Sequence, residues 1–399
     1  MKGLCISVIL VAIGLPFAKP ATAETVSVSN DPIELVRTLR TVQDKIVQGS
    51  RGAYASQRKL IAAVTDQLLS AKPEVWRDVK YLRAGIVFTL NGGDTRVARN
   101  VLGLGDLPAM EERILKGALA YAEGRTTEAS EQLSGIDALS LDSSIASHVA
   151  LAQGVILARD EPQRAVSRLE IARLLAPGTL VEEAALRREI MLVSALEDFD
   201  RFETLTARYM RRYSRSIYAV GFHRQLAAEI ANSKNWDDPQ RLARLDSMME
   251  GLDAPAKKDV YLAMAQAGIL KGQVGLTRFA AHHANSLGGD AAAATPQARV
   301  YEAAALIATD DFEAGLAQLQ RVDRAALTPQ DVEILDSALK IARQIRSEPT
   351  VATPTSPPPV EGASPRARDL AATGARVVTL AQATMARIDG MLSKRAVAR

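Results

Sequence analysis

The sequence predicts an all-α fold of stacked helical hairpins. Three observations carry that prediction: a break between helical patterns recurs at a near-constant interval, helix starts are marked by capping residue and proline, and no segment alternates with period two long enough for a sheet. The breaks fall near Gly93, Gly124, Asp160, Asp198, Trp236, Gly272 and Asp310, at intervals of 31, 36, 38, 38, 36 and 38 residues. Such a period is what repeated hairpins produce, because one hairpin cannot bury its apolar face without its neighbours.

Each break separates two kinds of helix. Before it stands an Ala/Leu-rich segment, as in 114–122 (ILKGALAYA), 149–158 (VALAQGVILA), 261–270 (YLAMAQAGIL) and 301–308 (YEAAALIA). After it come small and apolar residues four apart, Ala98 and Leu102, Ala129 and Leu133, Ala165 and Leu169. That spacing places each pair on one face, where the small residue lets the second helix pack closely on the first. Asp31-Pro32, Asp238-Pro239, Thr295-Pro296 and Thr328-Pro329 set a capping side chain before a proline at the first helical position. The cap satisfies an orphan backbone donor, and the proline has no such donor to lose. Glu34 and Asp331 add negative charge at the positive end of the helix dipole.

The flanks differ from the repeats. Lys2, the apolar run 4–15 and Ala21-Thr22-Ala23 make a secretory signal peptide over 1–23, cleaved after Ala23. Its apolar run is too short to span a bilayer comfortably, so an uncleaved anchor is the weaker reading. Cys5 stands at the start of that run, where a lipoprotein acylation site would not be. Cleavage removes the single cysteine, leaving neither disulfide nor thiolate in a periplasmic mature chain. Repeats are expected over 24–348. A Pro-rich linker follows at 349–365 and a basic amphipathic helix at 366–399. In that last segment Val377, Ala381, Met385, Ile388 and Leu392 form one stripe, and seven basic residues face two acidic ones. The tail suits a partner's groove or an anionic membrane surface, unless it folds back on the repeats.

Chemistry is sparse. His148, His223, His282 and His283 form no ligand spacing, and the adjacent pair points in different directions on a helix, so satisfied or exposed histidines are expected. The glycines of 103–105 and 272–275 lack the Lys-Ser/Thr of a phosphate loop and read as turns. Glu182-Glu183 and Glu197-Asp198 read as solvated helix faces rather than opposed catalytic carboxylates. We therefore expect no enzyme activity, no cofactor and no metal. The net charge of +3 does not by itself point to nucleic acid. One stretch invites a binding role: on a helix over 208–218 (RYMRRYSRSIY), Arg208, Arg212 and Arg215 line one face beside Tyr209 and Tyr213. These are residue types that anchor protein interfaces. The alternative is a helix end whose tyrosine rings pack on neighbours.

The hairpin pattern resembles a degenerate tetratricopeptide repeat, with Tyr121 before Gly124 and Ala129 after it as the best match and Phe202 at a later repeat's small position. An irregular helical bundle with fortuitous spacing would share the fold class. The strings at 31–50 (DPIELVRTLRTVQDKIVQGS) and 173–189 (RLLAPGTLVEEAALRRE) resemble MotC, the periplasmic motility family of rhizobia and related alphaproteobacteria. That resemblance, which covers 31–347, implies a role in flagellar rotation together with the periplasmic domain of the stator protein MotB. It brings no residue-level binding motif. A general envelope adaptor not linked to the flagellar motor is the rival reading. A helical cell-wall lyase or transferase is a third, and it would need a buried acid in a groove with a raised pKa.

Overall fold

The computed structural model describes residues 31–346 apart from 234, 235, 237 and 288–294. The signal peptide, the linker and the basic tail expected from the sequence lie outside the described residues. Helices pair in sequence: α1 (Pro32–Val47) with α2 (Arg51–Ser70), α3 (Val79–Leu90) with α4 (Thr95–Leu102), α5 (Ala109–Ala122) with α6 (Thr126–Leu133), and α7 (Ser143–Leu157) with α8 (Pro162–Leu175). The series continues through α9 (Leu180–Ala195), α10 (Phe199–Tyr213), α11 (Ala219–Asn232), α12 (Pro239–Met248), α13 (Ala254–Leu270) and α14 (Val274–Ser286). It ends with α15 (Pro296–Leu306), α16 (Phe312–Gln320) and α17 (Pro329–Arg346). Among the described residues there is no strand. Six of the seven breaks read from the sequence fall between two helices packed as a hairpin; the seventh, at Trp236, falls between α11 and α12, of which α12 packs on α10.

The expected caps account for most of the marked starts. Asp31 accepts from the Ile33 amide at 2.8 Å and Asp238 from Gln240 at 2.9 Å. Thr328 accepts from the Asp331 amide and donates its hydroxyl to the Asp331 carboxylate at 2.7 Å. Thr295 precedes α15 without a side-chain cap bond. Inside the hairpins, close approach depends on glycine. A Cβ on Gly117 would lie 2.5 Å from Leu133 Cγ, and one on Gly154 would lie 2.6 Å from Leu169 Cγ. Leu133 and Leu169, the leucines read as facing the first helix, are fully buried at these contacts.

A stack in which each repeat touches only its neighbours is the simplest outcome of such a sequence. Here the winding is tighter. The odd-numbered helices touch along the chain from α3 to α15, and α3 also meets α7, two hairpins on. Helix α1 packs on α3 and on α9. It gives Leu35, Val36 and Leu39 to a core running to Ile156, and Val47 to a second core that runs from Val166 to Ala342. Its C-terminal end is tied to the middle of the chain. Asp44 accepts from the Leu180 amide at 3.0 Å, Gln43 donates to the Asn91 carbonyl at 3.0 Å, and the Ile217 amide donates to Ile46. Gly49 closes the contact: its φ of +95° is left-handed, and a Cβ there would lie 2.6 Å from the Arg215 carbonyl oxygen. The described helices up to Ala342 form one compact unit.

Candidate functional site

Helix α9 is the polar spine of the molecule. Its neighbours are α1, α7, α8, α10 and α11, so three of its glutamates, Glu182, Glu183 and Glu189, are 0% exposed. A buried carboxylate is tolerated only when paired and hydrogen-bonded. Glu182 accepts from the Gly178 amide at 2.6 Å, the Tyr213 hydroxyl at 2.7 Å, Arg208 at 3.1 Å and Arg212 at 3.2 Å. Glu189 is held by Arg173 at 3.1 Å and Arg201 at 2.8 Å. Glu183 is the least satisfied. Tyr209 donates to one oxygen at 3.0 Å, Arg187 stands 3.9 Å away, and the other oxygen has no partner. Burial accordingly pushes the Glu183 pKa up against the pull of Arg187. Burial and the neighbouring carboxylates push the Tyr209 and Tyr213 phenols well above the usual range.

This arrangement corrects two expectations. Glu182 and Glu183 are not a solvated face: in a tightly wound stack the side of α9 that carries them is covered by packed neighbours, while Arg188 on another side stays exposed. Of the arginine–tyrosine surface expected at 208–218, the tyrosines are turned inward for the same reason, while Arg208, Arg212 and Arg215 remain partly or fully exposed. Tyr209 and Tyr213 are buried beneath α9 and α11, with the Tyr209 ring tilted at 50° to that of Phe222 and 4.2 Å from it between centroids. Arg208 and Arg212 are committed to Glu182. Of the five, Arg215 stands exposed with no carboxylate partner among the described residues. Glu197 and Asp198 do lie in an exposed turn. Glu183 has the raised pKa asked of a general acid, yet its side chain is wholly covered and offers no side on which a substrate could lie.

The histidines divide. His282 is exposed, and its ring stands edge-on to that of the half-buried His283. His148 and His223 are buried, each with an Nε2 that finds no hydrogen-bond partner, which the sequence reading did not foresee. Burial pulls their pKa values down, to about 3 for His148 and about 4 for His223, so both are neutral at neutral pH. Among the described residues no group of three or more His, Cys, Asp or Glu is placed to hold a metal ion. Gly105 and Gly272 occupy left-handed turns, at φ +67° and +71°, as read from the sequence.

Two clefts lie on the odd-numbered helices. A cavity of 380 Å³ is lined by α7, α9 and α11, with Val155, Arg188, Met191, Leu192 and Gln225 among its residues. Another, of 350 Å³, is lined by α11, α13 and α15, with Val220, His223, Arg224, Leu262 and Tyr301. Both fall in the size range of recognition clefts. Sequence reasoning missed these residues. The available signal was the spacing within 219–232, which puts Val220, Gly221, Arg224, Gln225 and Ala228 on one face, all exposed.

The fold and this surface can be compared with known proteins. A family model described as chemotaxis protein MotC matches residues 2–397. The chemotaxis protein MotC of Rhizobium meliloti (strain 1021) is 26% identical over 360 residues, which cover 90% of this chain and 82% of the relative. No solved structure matches the chain. With its family model running almost from end to end of a hairpin stack, the chain belongs to the MotC family of chemotaxis proteins.

Proposed function

We propose that this chain is a non-enzymatic periplasmic protein required for flagellar rotation, and that it binds the periplasmic domain of the stator protein MotB through its helical-repeat surface. A role in motility and chemotaxis follows from family membership, and the whole-length match is the observation that carries the reading. Export is supported by the charged start, apolar run and small-residue cleavage box of residues 1–23. Protein binding is supported by the architecture. Repeated hairpins present extended surface on one layer of helices, and the arginine–glutamate network on α9 ties that layer to α8 and α10. The chain would act by holding its partner in one conformation, which requires tighter contact with that state than with any other.

Deletion of the gene, with complementation by the full chain and by a chain lacking residues 1–23, tests the reading. Cells without the gene should assemble flagella that do not turn, and the leaderless chain should fail to restore rotation. Normal rotation with a leaky envelope would assign the chain to general envelope scaffolding instead.

A further inference from the structure

We infer that the exposed crest of α11, with the clefts on either side of it, binds an acidic amphipathic segment of a partner protein. The inference rests on the protein-binding reading above and specifies its surface and the partner's chemistry. The crest is low at two points: a Cβ on Gly221 would meet no atom within 4 Å, and Ala228 adds only a methyl group two helical turns away. A segment crossing α11 there can lie against the helix backbone and reach both clefts. Each offers apolar side chains beside its polar ones, Met191 and Leu192 half-buried in one, Leu262 half-buried and Val220 58% exposed in the other.

Charge selects the partner. The chain as a whole is nearly balanced, with 49 Lys and Arg against 46 Asp and Glu, and the arginines of α8 and α10 described above are bonded to the glutamates of α9. The crest departs from that balance. Arg224 is exposed and has no ion pair among the described residues. The exposed Arg188 has as its one described partner the Ala184 carbonyl at 3.3 Å. Against them the two clefts set a single carboxylate, Asp259. Unpaired cations flanking apolar side chains complement a segment that alternates carboxylates with aliphatic side chains. A bare polyanion would leave the apolar side chains unused.

The test uses the mature full-length chain and a fluorescein-labelled peptide of alternating Glu and Leu pairs, with a Lys-for-Glu peptide as control. Gly221→Glu adds bulk and negative charge where there is open space and replaces glycine by a better helix former, so this variant folds. The double variant Arg188→Glu/Arg224→Glu reverses the selecting charges, and Lys59→Glu makes one such reversal on an exposed position of α2. Saturable binding of the acidic peptide alone is expected, weakened roughly tenfold or more by either crest variant and by added salt, and unchanged by Lys59→Glu. No binding, equal binding of both peptides, or binding that survives both crest variants would overturn the inference. So would a dimer that Gly221→Glu dissociates, which would assign the face to a second copy. Swimming separates this inference from the functional reading. If deletion abolishes rotation and the Gly221→Glu chain restores it, the surface assignment falls and the motor role stands. If deletion leaves rotation normal, the motor role falls and the peptide titration alone decides the surface.

Discussion

Removing the Glu182 carboxylate tests the claim that α9 is the polar spine. In Glu182→Ala four donors lose their acceptor at once: the Gly178 amide, the Tyr213 hydroxyl, Arg208 and Arg212. The arginines lose least, because their side chains are 38% and 43% exposed and can turn to water, at about 0–1 kcal/mol each. Tyr213 is 2% exposed, so its orphaned hydroxyl costs about 1–3 kcal/mol, and the charge-assisted bond from Gly178 is worth a similar amount. The sum is about 2–8 kcal/mol, or roughly 3–12 °C in melting temperature for a domain of this size. Glu182→Gln keeps an acceptor for Gly178 and Tyr213 and turns its amide toward Arg208, so about 1–2 kcal/mol is expected. Calorimetry and urea unfolding of the three chains would measure both differences. A melting point for Glu182→Ala within about 1 °C of the parent would refute the spine. A Gln variant as damaged as Ala would show that charge on the arginines, not the buried bonds, is what matters.

Further expectations follow from the same structure. His148 and His223 have folded pKa values below the ordinary 6.5, so the unfolded chain binds more protons and stability falls as pH drops. The loss begins near pH 6.5 and runs toward about pH 4 for His223 and about pH 3 for His148, with a slope of up to about 1.4 kcal/mol per pH unit for each ring. Urea unfolding across that window should flatten in His148→Gln/His223→Gln, and an unchanged slope would remove these rings as its cause. Gly154→Ala should destabilise by about 1–3 kcal/mol, because its methyl group would lie 2.6 Å from Leu169 Cγ. Gly221→Ala, with open space above it, should be neutral or stabilising by up to about 1 kcal/mol. Two equal melting shifts would contradict the glycine contact. Asp44→Ala removes the acceptor for the Leu180 amide and should cost about 0.5–2 kcal/mol, while Asp44→Asn keeps an acceptor and should cost less. Amide exchange at Leu180 reports the difference, and equal protection in both variants would show that Asp44 does not hold α1 to α9.

Much of the fold was legible because hairpin stacking is a local matter. Gly124 and Gly272 had to occupy left-handed turns, Asp31 and Asp238 had to cap, and Ala129 and Ala165 had to be small where a second helix closes on the first. The tethering of α1 to α9 was not legible, since Asp44 and Leu180 are far apart in sequence and no periodicity links them. The misreading of Glu182, Glu183, Tyr209 and Tyr213 has the same origin. Acidic pairs on a helix are usually solvated, and only the tight winding that packs α10 and other neighbours over that side of α9 turns them inward. The crest of α11 escaped notice because its signal is an absence of bulk at Gly221 and Ala228, which composition alone reads as ordinary helix.

The most direct measurement is a calorimetric titration of residues 24–399 of this chain with the purified periplasmic domain of MotB from the same cells. Saturable binding is predicted, with a negative heat-capacity change from the apolar surface buried. The absence of heat at any concentration reached, with both proteins folded, would contradict it.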